Sequence, residues 1–585
     1  DEGLLPGVEW VEGEDETSSN RDLALSLPDR LRYVPDGYDL TMPLVAVRGG
    51  EVTTALLWDI HQRWDQSHDK PAVYFSRPGY LAGSHDAAMG LFAPSVGEGW
   101  LDENQVQAEA PYPLEAGRSL RLDASLLVRT ESTSVLDAVD VWLDRYGLPE
   151  PGTPPRGDWV SEVEFSARAY MESLYDEEEG DWWQTVGGGH LLSQKTPASP
   201  HFAWDLERAA RITNDPARAE VYREWAARVT DTAGYPPQGF DGGLEYSNGS
   251  EWLSILAGAA KAALASQRED GSWGYPADRE GEGVFADTDY WELGDLGGSE
   301  LGTNARNALD LLRYARVTGD ERAYEAGIRA LEYMDRFTVP RAGQVWEVPA
   351  HVPDIIAAAD AIEAYLEAYR FDGDTYWRDC AVYWAMAGVP FVYLWGEPER
   401  PYLPYASIAV YGGTFYVMNW IGRPVQWCGL NYATALRQLA EFDDTQDWAR
   451  LAEGILISAL HQQSTEDVDV ALWPDWIGAR EGDKSAWLFS PMKLCEHLYA
   501  MLGVPSFPRT AIIGEGQERL HLSTMGDVLQ AAFEGGTLTV DTRLDERVRS
   551  RLLIGPIAPP GEVLVDGELV YQAPGPDGWA YLARY

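Results

Sequence analysis

The chain has 585 residues, more than one hydrophobic core accommodates, so it divides into several domains. Ninety-four Asp and Glu against 45 Lys and Arg give a formal charge of −49, a field that repels nucleic acid and anionic membranes. No apolar run approaches a membrane span, and the three cysteines, Cys380, Cys428 and Cys495, lack the spacing of a zinc site or a disulfide framework.

In chain order, the acidic run Glu12-Gly-Glu-Asp-Glu16 reads as a solvated loop; it leaves room for a structural calcium but lacks EF-hand spacing. Residues 40–130 are strand-like, with short alternating or apolar segments such as 53–60 (TTALLWDI) and 120–129 (LRLDASLLVR) between Gly, Pro and Asp turns, the pattern of a β-sandwich. Ser134 reads as the N-cap of a helix that runs to Tyr146 and stops at Gly147. A Pro-rich linker follows (PEPGTPPRG, residues 149–157).

Beyond the linker the period becomes helical. Turns of one type recur: Arg211-Ile-Thr-Asn-Asp215, Arg316-Val-Thr-Gly-Asp320, Arg370-Phe-Asp-Gly-Asp374 and the degenerate Glu441-Phe-Asp-Asp444. Each joins two helices, so the segment is a series of stacked α-hairpins. Further helices are expected at 159–175, 250–267 and 485–502, and six hairpins closing into a ring fit the roughly 350 residues available. From about residue 509 the chain is strand-like again, with a hairpin at 563–570 turning on Asp566-Gly567. The expected organisation is therefore multidomain α+β: a β-sandwich ending in a linker helix (1–148), the linker (149–157), a helical ring (158–507) and a small β-rich domain (508–585).

In such a ring the short turns share one end, so the long connections gather at the other, where sites are usually built. These connections are rich in indoles, acids and amides. They carry Trp182, Trp183 and His190; Trp204; Asp241 and Tyr246; Trp273; Glu300; Trp346, Glu347, His351 and Asp354; Trp427, Asn431 and Tyr432; Trp473, Asp475 and Trp476. Flat aromatic faces beside hydrogen-bonding groups suit the alternating CH and OH surface of a sugar, and 24 Trp with 30 Tyr supply them.

With this hairpin pattern and loop chemistry the segment resembles the six-hairpin (α/α)6-toroid glycosidases and the polysaccharide lyases of related shape. The resemblance implies a secreted, periplasmic or cell-surface enzyme acting on a poly- or oligosaccharide, with no required cofactor. Neither a nucleic acid nor a membrane is an expected partner, and the sequence gives no oligomeric state. The chain starts at Asp1 without a basic, apolar leader, the pattern of a processed start or an excised piece.

Glycoside hydrolysis needs two carboxyl groups across the scissile bond. Glu347, beside an indole in Gly343-Gln-Val-Trp-Glu-Val-Pro349, is the first candidate, and Glu347→Gln should lower kcat ~100-fold or more. Glu300, Asp354, Asp241 and Asp475 are candidate partners, and His351 a candidate acid/base group; the remaining indoles, His190, Tyr246, Asn431 and Tyr432 are candidate substrate contacts. Asp354 also reads as a helix cap. A lyase would instead use Tyr or His with a charge-neutralising Arg, and a sugar-binding ring without turnover is the third reading. The segment Gln267-Arg-Glu-Asp-Gly-Ser-Trp-Gly274 is similar to the Gln/Trp repeat of triterpene cyclases, but it occurs once and lacks their acidic protonation motif.

Overall fold

The computed structural model describes residues 2–18, 34–66, 68–79, 86–92, 112–187, 194–196, 200–233, 243–246, 249–274, 298–344, 351–411, 420–514, 519–549 and 551–572. The N-terminal strands are β1 (Glu2–Leu5), β2 (Glu9–Glu12), β3 (Leu44–Gly49), β4 (Val52–Trp58), β5 (Ala72–Ser76), β6 (Ala88–Phe92) and β7 (Ala124–Thr130). Five of them form an antiparallel sheet in the order β2-β1-β3-β4-β7, and β5 pairs with β6 separately. Alternation along β4 turns Thr53, Ala55 and Leu57 inward, which fixes its register because a one-residue slip would expose all three. Helix α1 (Leu136–Tyr146) packs on β3 and β4. It begins one residue later than the capping pattern predicts: Val135 occupies the N-cap position, while the Ser134 hydroxyl accepts from the Leu136 amide at 3.3 Å. Gly147, at φ +71°, ends it as expected.

The helical part comprises α2 (Trp159–Arg168), α3 (Pro200–Ile212), α4 (Pro216–Ala233), α5 (Gly243–Tyr246), α6 (Gly249–Ser266), α7 (Leu301–Thr318), α8 (Glu321–Met334), α9 (Ile355–Asp372), α10 (Thr375–Gly388), α11 (Gln426–Leu439), α12 (Trp448–Gln462) and α13 (Met492–Met501). Hairpins α3/α4, α7/α8, α9/α10 and α11/α12 are tightly packed pairs, and α7, α9, α11, α13 and α3 follow one another side by side as an inner row. In the chain the four-residue α5 falls between α4 and α6, and its Glu245 pairs with Arg208 of α3.

The recurrent turns have one physical basis. Gly319 and Gly373 adopt the left-handed conformation that closes α7 and α9, and Asp320 and Asp374 then cap α8 and α10 by accepting their first free amides. In the fourth hairpin the cap is Asp447, three residues beyond the expected motif. The first of the further helices is α-helical to Arg168 and continues as a π-helix over Ala169–Ser173, close to its expected end; the last is corrected, since it starts only at Met492. Upstream of it Leu488–Phe489 is a strand, paired on one side with Trp473–Pro474 and on the other with Asp181–Val186.

The N-terminal sheet leans on the long connections. Trp10 packs on Phe391 and Tyr411, Leu394 donates to the Thr41 carbonyl at 2.9 Å, and the Trp395 indole donates to the Leu40 carbonyl at 2.6 Å. The C-terminal strands meet the opposite end. His521 Nδ1 lies 2.5 Å from the Arg316 carbonyl, Arg519 sits over Phe371, Arg509 pairs with Glu441, and the Arg547 carbonyl accepts from Arg211. Those strands therefore touch the turns after α3, α7, α9 and α11. The hairpin expected at 563–570 is present, with Asp566 and Gly567 both at positive φ.

Candidate active site

The small sheet brings the connection after α2 and the one after α12 together at the end opposite the recurrent turns. Asp475 directly follows the strand Trp473–Pro474, and its amide donates to the Trp487 carbonyl at 3.0 Å, so its backbone is held from both sides. Trp427, the second residue of α11, donates from its indole to Asp475 Oδ1 at 3.0 Å. These two side chains line a cavity with Gln344, Val410, Trp420 and Val425. The residues come from three long connections and the start of an inner helix, which is the convergence expected of the open end. Half-buried Asp475 has its pKa raised by burial, and the Trp427 N–H offsets only part of that. Trp420 is 6% exposed, and its indole N–H has no partner among the described residues.

Beneath the cavity, Gln344 Nε2 donates to Asp354 Oδ1 at 3.3 Å. Asp354 is fully buried and caps α9 through the Ile356 amide, as one of its two sequence readings has it; burial lifts its pKa to about 6, and Oδ2 has no partner among the described residues. It reaches the cavity only through Gln344. Two glycines let the Gln344 backbone lie against the helix starts. A Cβ on Gly302 would come within 2.6 Å of Ala342 and Gly343 backbone atoms, and one on Gly343 within 2.6 Å of the Ala357 nitrogen.

Sequence reasoning missed a second group of acids, on the inner helices. Nearly all of α9 is buried against α7, α10 and α11, except a half-buried stripe containing Ile356, Asp360 and Glu363. Asp360 lies 3.7 Å from Arg306, Glu363 2.8 Å from Arg313, and Glu367 is paired with Arg316, three successive rungs between α9 and α7. Burial carries the Asp360 pKa to about 7 against the pull of Arg306, and raises that of Asp310 as well. Glu367 goes the other way. Burial opposes its charge, but Arg316 and Arg370 together outweigh burial and hold the pKa at about 2. The signal was present in the sequence as lone acids at helical spacing within the Ala-rich run 355–368.

The other expected residues are distributed as follows. Glu300 Oε1 lies 3.1 Å from His351 Nδ1, and Asp15 Oδ1 lies 3.0 Å from its Nε2. Hydrogen bonds to Asp15 and then Glu300 raise the His351 pKa to about 9, so the imidazole is a cation clamped between two carboxylates. Glu12 and Asp15 also bind Arg341, at 3.3 and 2.8 Å, so two members of the acidic run face a cation of the ring. Trp182, Trp273, Trp473 and Tyr432 are buried, and their polar atoms are spent on the carbonyls of Tyr170, Ala263, Ser490 and Ala385. Trp204 donates to Glu245 at 2.7 Å, away from the cavity, and Trp183 and Asn431 are half-buried. Trp476 follows Asp475 with Arg423 over its ring at 4.6 Å. Asp241, His190, Trp346, Glu347 and the Tyr246 side chain lie outside the described residues.

No family model and no curated protein matches the chain. Among solved structures it is similar to an unsaturated glucuronyl hydrolase from Bacillus sp. GL1, at 12% identity and a TM-score of 0.36 over 58% of this chain and 94% of that one. An unsaturated glucuronyl hydrolase from Streptococcus agalactiae gives 12% and 0.35 over 59% and 92%. The family 76 α-mannanase of Bacteroides thetaiotaomicron gives 9% and 0.34 over 59% and 96%. These are six-hairpin α/α toroids of glycosidase type, and likenesses of that size carry no activity across to this chain.

Proposed function

We propose that the chain is a glycoside hydrolase that cleaves a poly- or oligosaccharide at the open end of its helical ring, with Asp475 donating the proton to the leaving oxygen. The observation that carries this is Asp475 itself: a half-buried carboxyl of raised pKa in an indole-lined cavity, held in place by Trp427 and the backbone of Trp487. A general acid must keep its proton near working pH, which burial favours; the cavity beside Asp475, about 10 Å³, holds about one water, so a sugar ring would have to widen it. Gln344, anchored by Asp354, offers a polar wall.

Two groups compete for the second carboxyl role. Glu347 follows Gln344 by three residues, and Asp360 lies on the half-buried stripe of α9 with Arg306 beside it. Glu347→Gln and Asp360→Asn decide between them, because the true partner loses kcat ~100-fold or more and the other does not.

The test of the reading is a glycan panel with products analysed by mass, run on the wild type and on Asp475→Asn. Products that have gained water, formed at least ~100-fold more slowly by the variant, support it. Unsaturated products absorbing in the ultraviolet would replace it with a lyase. Glycan binding without turnover would make the ring a binding module.

A further inference from the structure

A groove of about 310 Å³ lies at the turn end of the ring, between α3, α4 and the C-terminal strands, and is lined by Arg211, Arg223, Arg549, Glu207 and Ala227. In a chain where acids outnumber bases 94 to 45, three arginines line it beside Glu207, and Glu245 and Glu220 pair with Arg211 and Arg223 from outside the lining. The sequence supplies this locally: Arg543, Arg547, Arg549 and Arg551 crowd one short stretch.

The three arginines are differently held. Arg211 forms the back wall, 22% exposed, bound to Glu207 at 3.0 Å, Glu245 at 3.2 Å and the Arg547 carbonyl at 3.1 Å. Arg549 is 61% exposed and 3.6 Å from the same Glu207; Arg223 is 55% exposed and 2.9 Å from Glu220. Glu207 thus orients two of the guanidiniums, and Glu220 holds the third. A guanidinium carries five N–H donors, so these contacts leave most of the donors on Arg223 and Arg549 for a ligand.

The geometry points to a binding site for a phosphate or sulfate monoester with a body about the size of a monosaccharide. Planar guanidinium forks match the oxygens of such a group bidentately, and the volume falls in the range of small-ligand pockets. The overall negative field opposes the approach of an anion, so affinity must come from contact with the three arginines rather than from long-range steering. This site is separate from the Asp475 cavity and stands whether or not that cavity hydrolyses a glycan.

Titration calorimetry on the full chain at constant ionic strength tests it, with glucose 6-phosphate, glucose 6-sulfate, inorganic phosphate, inorganic sulfate and glucose as probes. Saturable heat from at least one of the esters, none from glucose, and weakening by about tenfold or more in both Arg223→Gln and Arg549→Gln is the expected result. The ester that binds more tightly tells phosphate from sulfate recognition. Both side chains are exposed, so unliganded melting temperatures should match the wild type and separate lost binding from lost folding. No heat from any anion, or binding unchanged when both arginines are replaced, would overturn the proposal.

Discussion

At Asp475 two effects compete. Burial favours the neutral acid, and the Trp427 N–H favours the carboxylate. Trp427→Phe keeps the ring and removes the donor, so the pKa of Asp475 should rise further. A general acid fails when it loses its proton, so the alkaline limb of the pH–rate profile should move to higher pH in this variant, and an unchanged limb would remove Asp475 from the acid role. His351 offers the converse case. Its folded pKa, about 9, lies above the ordinary 6.5, so its stabilising effect is complete below 6.5 and disappears as pH rises through 9. His351→Gln should therefore melt below the wild type at pH 6, with the two curves converging above pH 9. Of these residues the sequence marked Asp475 by its flanking indoles. It could not show that Trp473 and Trp476 differ, one buried and one half-buried, because that depends on strand pairing between segments far apart in the chain.

At the scale of elements, the α7–α9 contact decides how the ring treats charge. Glu367 is 2% exposed and keeps its charge only because Arg316 and Arg370 hold it. Lowering its pKa from 4.5 to about 2 stabilises the fold by on the order of 3 kcal/mol. This contribution is present above pH 4.5 and lost as pH falls towards 2. Arg316→Ala should cost about 3 kcal/mol or more in denaturant melts, and adding Glu367→Gln should recover part of it by removing the orphaned charge; strict additivity would show that the pair is not coupled. Gly343→Ala belongs to the same scale. Its new methyl meets the start of α9, so it should lower both stability and turnover by displacing Gln344. The hairpin turns were legible because Arg, Gly and Asp stand at fixed offsets from helix ends. The paired acids of α9 were not, since helical period alone does not say which face of a helix meets its neighbours.

Across the whole molecule, the contact between the N-terminal sheet and the ring runs through Arg341, which is 2% exposed and bound to Glu12, Asp15 and the His351 carbonyl. Arg341→Met should leave those carboxylates facing a thioether, lower the melting temperature and make residues before 40 more sensitive to limited proteolysis. An unaltered digestion pattern would mean that the apolar packing of Trp10 on Phe391 and Tyr411 suffices to hold the sheet.

The C-terminal strands touch four of the recurrent turns, at the end away from the Asp475 cavity. Under the proposed hydrolase reading, a glycan would then enter and leave by the open end, and the ring would work as a socket and not as a tunnel. Product should consequently compete with substrate for entry, giving purely competitive product inhibition.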